Sequence, residues 1–201
     1  ADGQSLEYSS YLGGNSVESA AGVAIQSTGG IVVSGSSTSS DFPTVNSLYG
    51  DNGSSDAVVA ALSSNGSTLL FSTYIGGSGN ETPSSIVSST TGELFLYGVT
   101  SSTNFPMAGT PYDNTHNGGP NETENNLNFN GADIYVARLN ATGTALIAST
   151  YIGGSNSDGL NTNVLQYNYG DQFRGEIILD ASNNVYVAST TFSGNFPVSG
   201  G

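Results

Sequence analysis

Tyr74-Ile75-Gly76-Gly77 decides the fold because it is not alone: Tyr11-Leu12-Gly13-Gly14 precedes it and Tyr151-Ile152-Gly153-Gly154 follows it. Asp56-Ala57-Val58-Val59-Ala60-Ala61-Leu62 likewise returns as Asp133-Ile134-Tyr135-Val136-Ala137-Arg138-Leu139. Asp41-Phe42-Pro43 returns as Asn104-Phe105-Pro106 and as Asn195-Phe196-Pro197. The spacings agree. Asp56 to Tyr74 and Asp133 to Tyr151 are both 18 residues, Tyr11 to Phe42 and Tyr74 to Phe105 are both 31, and Phe42 to Asp56 is 14. The repeating unit is 63 residues long. A fixed period of several tens of residues is the mark of a solenoid, a propeller or an array.

Working outward from the motif, each unit reads as four short strands, which in the second copy are 56–62, 69–74, 84–88 and 94–100. Val, Ile, Leu, Phe and Tyr are concentrated in these runs, with Gly, Ser and Asn between them. Ser63-Ser64-Asn65-Gly66-Ser67 and Ser89-Thr90-Thr91-Gly92 read as hairpin turns, with Gly supplying positive φ. No helical periodicity of useful length is present. The reading is all-β, with four-stranded antiparallel repeats as blades of a β-propeller. A sandwich does not explain one motif at fixed spacing, and a parallel solenoid would use shorter coils. About three blades are expected: 1–50, lacking its first strand; 51–131, with an insertion near 111–131; and 132–201, with an insertion near 156–174.

The ordered motifs Asp-x-x-Val-Ala-x-Leu, Leu-x-x-Ser-Thr-Tyr-Ile-Gly-Gly, a Val-Tyr-Val-Ala-Ser-Thr strand and Asn-Phe-Pro resemble the bacterial SBBP β-propeller repeat over nearly the whole chain. The resemblance implies a large propeller in secreted or surface-anchored proteins of bacteria and some archaea. It implies no single activity. Three units are too few to close a ring of four to eight blades, so further blades, or a partner copy, are expected to complete it.

Composition narrows the partners. Sixteen acids oppose two bases, Arg138 and Arg174, for a net charge of −14, and only 9% of residues are charged. Phosphate neutralisation needs Lys and Arg, so nucleic acid is excluded as a partner, and an anionic membrane surface would repel the chain. No segment reaches the roughly 20 apolar residues of a membrane helix. Cysteine is absent, which removes disulfides, thiolate metal sites and a thiol nucleophile. A surface of Ser, Thr, Asn and Gly suits an extracellular or cell-surface location.

Phe105 to Asp133 is 28 residues and Tyr151 to Phe196 is 45, so each insertion adds 14 to the repeat. The first is read as a blade-to-blade crossover and the second as a connection between strands two and three. In a four-stranded meander both fall at the same end, which is the expected binding face. Asp113, Thr115, Asn117 and Glu124 carry the spacing of a calcium loop, with oxygen ligands at alternate positions and a closing Glu, although Pro120 and the lack of flanking helices oppose it. No other cofactor is expected. Asp51, Asn52 and Asp56 read as an Asx-type strand cap. His116, the single histidine, reads as a solvated loop residue, because no nucleophile elbow accompanies it. Tyr11, Tyr74 and Tyr151 recur with the repeat and read as packing residues, and the Phe-Pro pairs read as crossover anchors.

Tyr112, Phe129, Tyr167, Tyr169 and Phe173 lie in or beside the insertions, where they either meet sugars or proteins or bury themselves to hold the loops. Four sequons, at Asn65, Asn80, Asn121 and Asn140, are candidate glycosylation sites, and Asn65, Asn80 and Asn140 fall in turns expected to be accessible. The functional expectation is a non-enzymatic structural, assembly or adhesion scaffold whose partners are copies of itself or other surface proteins. A carbohydrate-binding module, with calcium or without it, is the alternative, and a polysaccharide-acting enzyme comes last.

Overall fold

The computed structural model describes residues 3–161 and 171–198. Among them the regular elements are twelve strands and one 3₁₀ turn, Asp171–Phe173. β1 (Glu18–Ile25), β2 (Ile31–Ser37), β3 (Asp56–Leu62) and β4 (Leu69–Ile75) form a four-stranded antiparallel sheet in sequence order. A second such sheet consists of β5 (Glu81–Ser88), β6 (Leu94–Thr100), β9 (Asp133–Leu139) and β10 (Leu146–Ile152). Between β6 and β9 the chain makes a separate hairpin, β7 (Asn121–Glu124) with β8 (Leu127–Asn130). β11 (Glu176–Leu179) and β12 (Val185–Ala188) form a further two-stranded unit. The all-β reading in four-stranded antiparallel sheets is correct.

The phase of the units is not as expected. Boundaries were expected at 50/51 and 131/132, yet the first sheet runs from Glu18 to Ile75 and the second from Glu81 to Ile152. Each sheet joins two strands from one expected unit to two from its neighbour, and the first sheet lacks no strand. A repeat period carries no phase, because any cyclic shift of the same four strands has the same spacings. Pairing decides it. β2 pairs with β3 across the long 38–55 connection, while the link 76–80 between β4 and β5 leaves the sheet instead of closing a hairpin. The two insertions therefore exchange roles. The first joins β6 to β9 inside the second sheet, and the second joins β10 to β11 between units. In an antiparallel meander both still lie at one end, opposite the short turns.

The short turns form as their residues dictate. Gly66 (φ 68°) and Gly92 (φ 86°) take the left-handed position in the β3–β4 and β5–β6 turns. Side chains alternate between the two faces of each strand. On β9, Tyr135, Ala137 and Leu139 join the core between the first two sheets, whereas Ile134 packs with Ile177 on the opposite face. With both faces covered, β3 and β6 read as near-continuous apolar runs. The main core brings Val59, Ala61 and Phe71 of the first sheet together with Leu94, Leu96 and Leu139 of the second. The backbones approach along β1 and β5, and again along β5 and β11.

Candidate functional site

The insertion end is built on a line of buried acids that begin the strands. Asp56 and Glu81 are both fully buried. The Asp56 carboxylate accepts the N–H groups of Asn52 (2.7 Å) and Gly53 (3.2 Å), so it caps the turn before its own strand. Glu81 accepts the Thr100 hydroxyl (2.5 Å) and the Gly77 N–H (3.0 Å). A Cβ added at Gly76 would run into Asp56 Oδ1 and Glu81 Oε2, which is why the motif requires glycine there. A carboxyl taken out of water favours its protonated form. Burial raises Asp56 and pushes Glu81 up to about 7.

The arrangement repeats at the next junction. Asp133 accepts the Asn117 N–H (2.6 Å), and burial pushes it up to about 7. Asp158 accepts the Gly154 N–H (2.7 Å) and the hydroxyls of Ser193 (2.8 Å) and Thr191. Asp56, Glu81, Asp133 and Asp158 are all sealed from solvent. Asp56, Asp133 and Asp158 accept backbone N–H groups of the turns beside them, as Glu81 accepts that of Gly77.

The calcium spacing is not realised as a gathered site. Asp113 accepts the Thr115 N–H (2.8 Å) and the Asn117 side-chain amide (2.9 Å), forming an Asx turn. Glu124 is buried on β7. Among the described residues no three His, Asp or Glu side chains group as metal ligands. Without flanking helices the loop folds onto its own carboxylate. His116 is not the solvated residue expected: it is partly buried, edge-on to Tyr151 at 5.8 Å, and burial lowers its pKa.

Of the inserted aromatics, Phe129 is fully buried, and Phe173 packs on it at 5.6 Å. With Val99, Ala132 and Leu160 they make a small core that holds the loops. Tyr112 is exposed, and Tyr167 and Tyr169 lie outside the described residues. The sequons divide. Asn65 and Asn121 are exposed and Asn140 is half-buried, with its amide donating to Thr144. Asn80 is not accessible as expected: it is buried, and its amide, the atom a glycan would need, donates to the Asn128 carbonyl (2.7 Å).

Sequence reasoning missed the β7–β8 hairpin. Asn125 and Asn126 form its turn with φ of 50° and 63°. Two consecutive left-handed residues define a type I′ turn, and Asn tolerates that conformation. The Asn-Asn pair beside the alternating Leu127 and Phe129 was the available signal. The hairpin tip helps to roof a cleft of about 530 Å³ on the insertion end, between β1, β2 and β5, with Ser19, Ser36, Ser55 and Thr82 in its walls. Of the cleft's lining only Phe173 was among the residues singled out from sequence. Compared with known proteins, the chain matches no family model and no curated protein.

Proposed function

We propose that the sheets are blades of a β-propeller and that the chain is a non-enzymatic, extracellular scaffold that works by stacking sheets. The observation that carries this reading is the repeated junction. Tyr74 and Tyr151 each use one hydroxyl to tie the carbonyl before a Phe-Pro turn to the N–H of its Phe. The same acids and Gly-Gly links recur beside them. Each sheet is thus made to receive one neighbour and to cap another. The outermost faces match that description: Val23 (66% exposed) and Ile25 (71%) on the first sheet, Ile178 (59%) and Tyr186 (54%) on the last hairpin. Exposed apolar area of this kind marks a contact surface. The SBBP resemblance and the hydroxyl-rich, lysine-free composition support a location outside the cell.

Electron microscopy of the native, full-length protein tests it. The expected result is that the Val23–Ile25 face is covered by another sheet of the same repeat, from the same chain or from a second copy. A native particle in which that face lies open to solvent would refute the scaffold reading.

A further inference from the structure

We infer that the cleft roofed by the β7–β8 hairpin binds a neutral saccharide. This does not rest on the scaffold reading. Its volume of about 530 Å³ falls within the roughly 300–1,000 Å³ of small-ligand sites. Ser19, Ser36, Ser55, Thr82, Asn125 and Asn126 line it with hydroxyls and amides. The Thr82 hydroxyl is itself buried and has no hydrogen-bond partner. A buried hydroxyl without a partner is costly unless a ligand or water satisfies it. Phe173 and Leu127 add apolar surface on which the C–H face of a sugar ring can rest. Among the described residues no charged side chain lines the cleft, although the chain carries −14. The site therefore offers donors, acceptors and an aromatic edge but no counter-ion, and that chemistry selects an uncharged polyol.

The second junction supplies an internal control. By strand alignment Val99 stands where the first sheet has Ser36, and Ala132 stands where it has Ser55. There Val99 and Ala132 close over Phe129 and Leu160 in a dry core. At the first junction both positions carry hydroxyls and the space is left open. The change from apolar to hydroxyl falls where the insertion does not fill the gap.

The test is calorimetric titration of the full chain with maltotetraose, cellotetraose and mannotetraose, and with trigalacturonate as the charged comparison. At least one neutral probe should bind with a Kd of about 1 mM or tighter, and more tightly than trigalacturonate. Ser36→Val with Ser55→Ala, which installs the residues of the dry junction, should weaken that binding about tenfold or more. Asn126→Gly keeps the left-handed turn while removing an amide, so it should weaken binding without unfolding the hairpin; it serves if the double variant fails to fold. Absence of binding by all three neutral probes, preference for trigalacturonate, or affinity unchanged in the folded variants would overturn the proposal.

Discussion

Tyr151 shows how one atom ties two segments. Its hydroxyl donates to the Ser102 carbonyl at 2.7 Å and accepts the Phe105 N–H at 3.0 Å, all three buried. Tyr151→Phe leaves a buried N–H and a buried C=O unpaired, and should cost about 1–3 kcal/mol in urea unfolding. The acid pair makes a different prediction. Glu81 and Asp133 keep protons in the folded chain at pH values where unfolded carboxyls have lost them. Folding therefore takes up protons, and stability is greatest below the ordinary carboxylate range. It is then lost as pH rises toward about 7, the value to which burial pushes both groups. A melting series from pH 4 to 8 should show a falling Tm. Asp56→Asn should flatten part of that fall. The asparagine oxygen can accept the Asn52 and Gly53 N–H groups that Asp56 Oδ2 now accepts, while the amide does not titrate. An unchanged pH slope in that variant would show that the pair is not the cause.

At the scale of the element, glycine sets how closely strands approach. A Cβ at Gly98 would meet the Thr82 carbonyl at 2.6 Å and Pro83 Cα at 2.7 Å, opposite the bulge between Pro83 and Ser85. Gly35 occupies the matching place opposite the Ala20/Gly22 bulge. Gly98→Ala must push backbone atoms apart and should cost about 2 kcal/mol or more, read from the denaturation midpoint. The strands themselves were legible, because alternating β-branched and aromatic runs bounded by Gly, Ser and Asn admit no other period. Their ends were less so: β5 begins at Glu81, three residues before the expected start at Ser84, because the buried acid belongs to the strand. The cleft was not legible, since Ser19, Ser36 and Ser55 look like any other serine in a serine-rich chain. Only their convergence distinguishes them.

The whole molecule is held by packing of sheet on sheet. Leu96 is 1% exposed and lies in the core between the first two sheets. Leu96→Ala opens a cavity there and should cost about 2–4 kcal/mol. Val23→Ala, on the open face, should change the stability of the isolated chain by under about 1 kcal/mol. Chemical denaturation of the two variants compares them directly, and equal losses would mean that the Val23 face is already covered.

The sequence by itself determined the repeat, its length, the strand content and the end of the sheets to which both insertions go. These are properties of order along the chain: a period of 63 residues and a strand alternation of two survive any cyclic shift. Which four strands make one sheet was decided only in three dimensions, because β4 and β5 are neighbours in sequence and yet do not pair. The physical cause is the Gly-Gly link. Without a Cβ, Gly76 fits beside Asp56 and Glu81 and Gly77 beside Ser102 and Asn104, which lets the chain pass from one sheet to the next there. Tertiary contacts likewise decided that Asn80 is closed to a glycan and that Asp113 caps its own loop, and burial decided that Glu81 and Asp133 are pushed up to about 7.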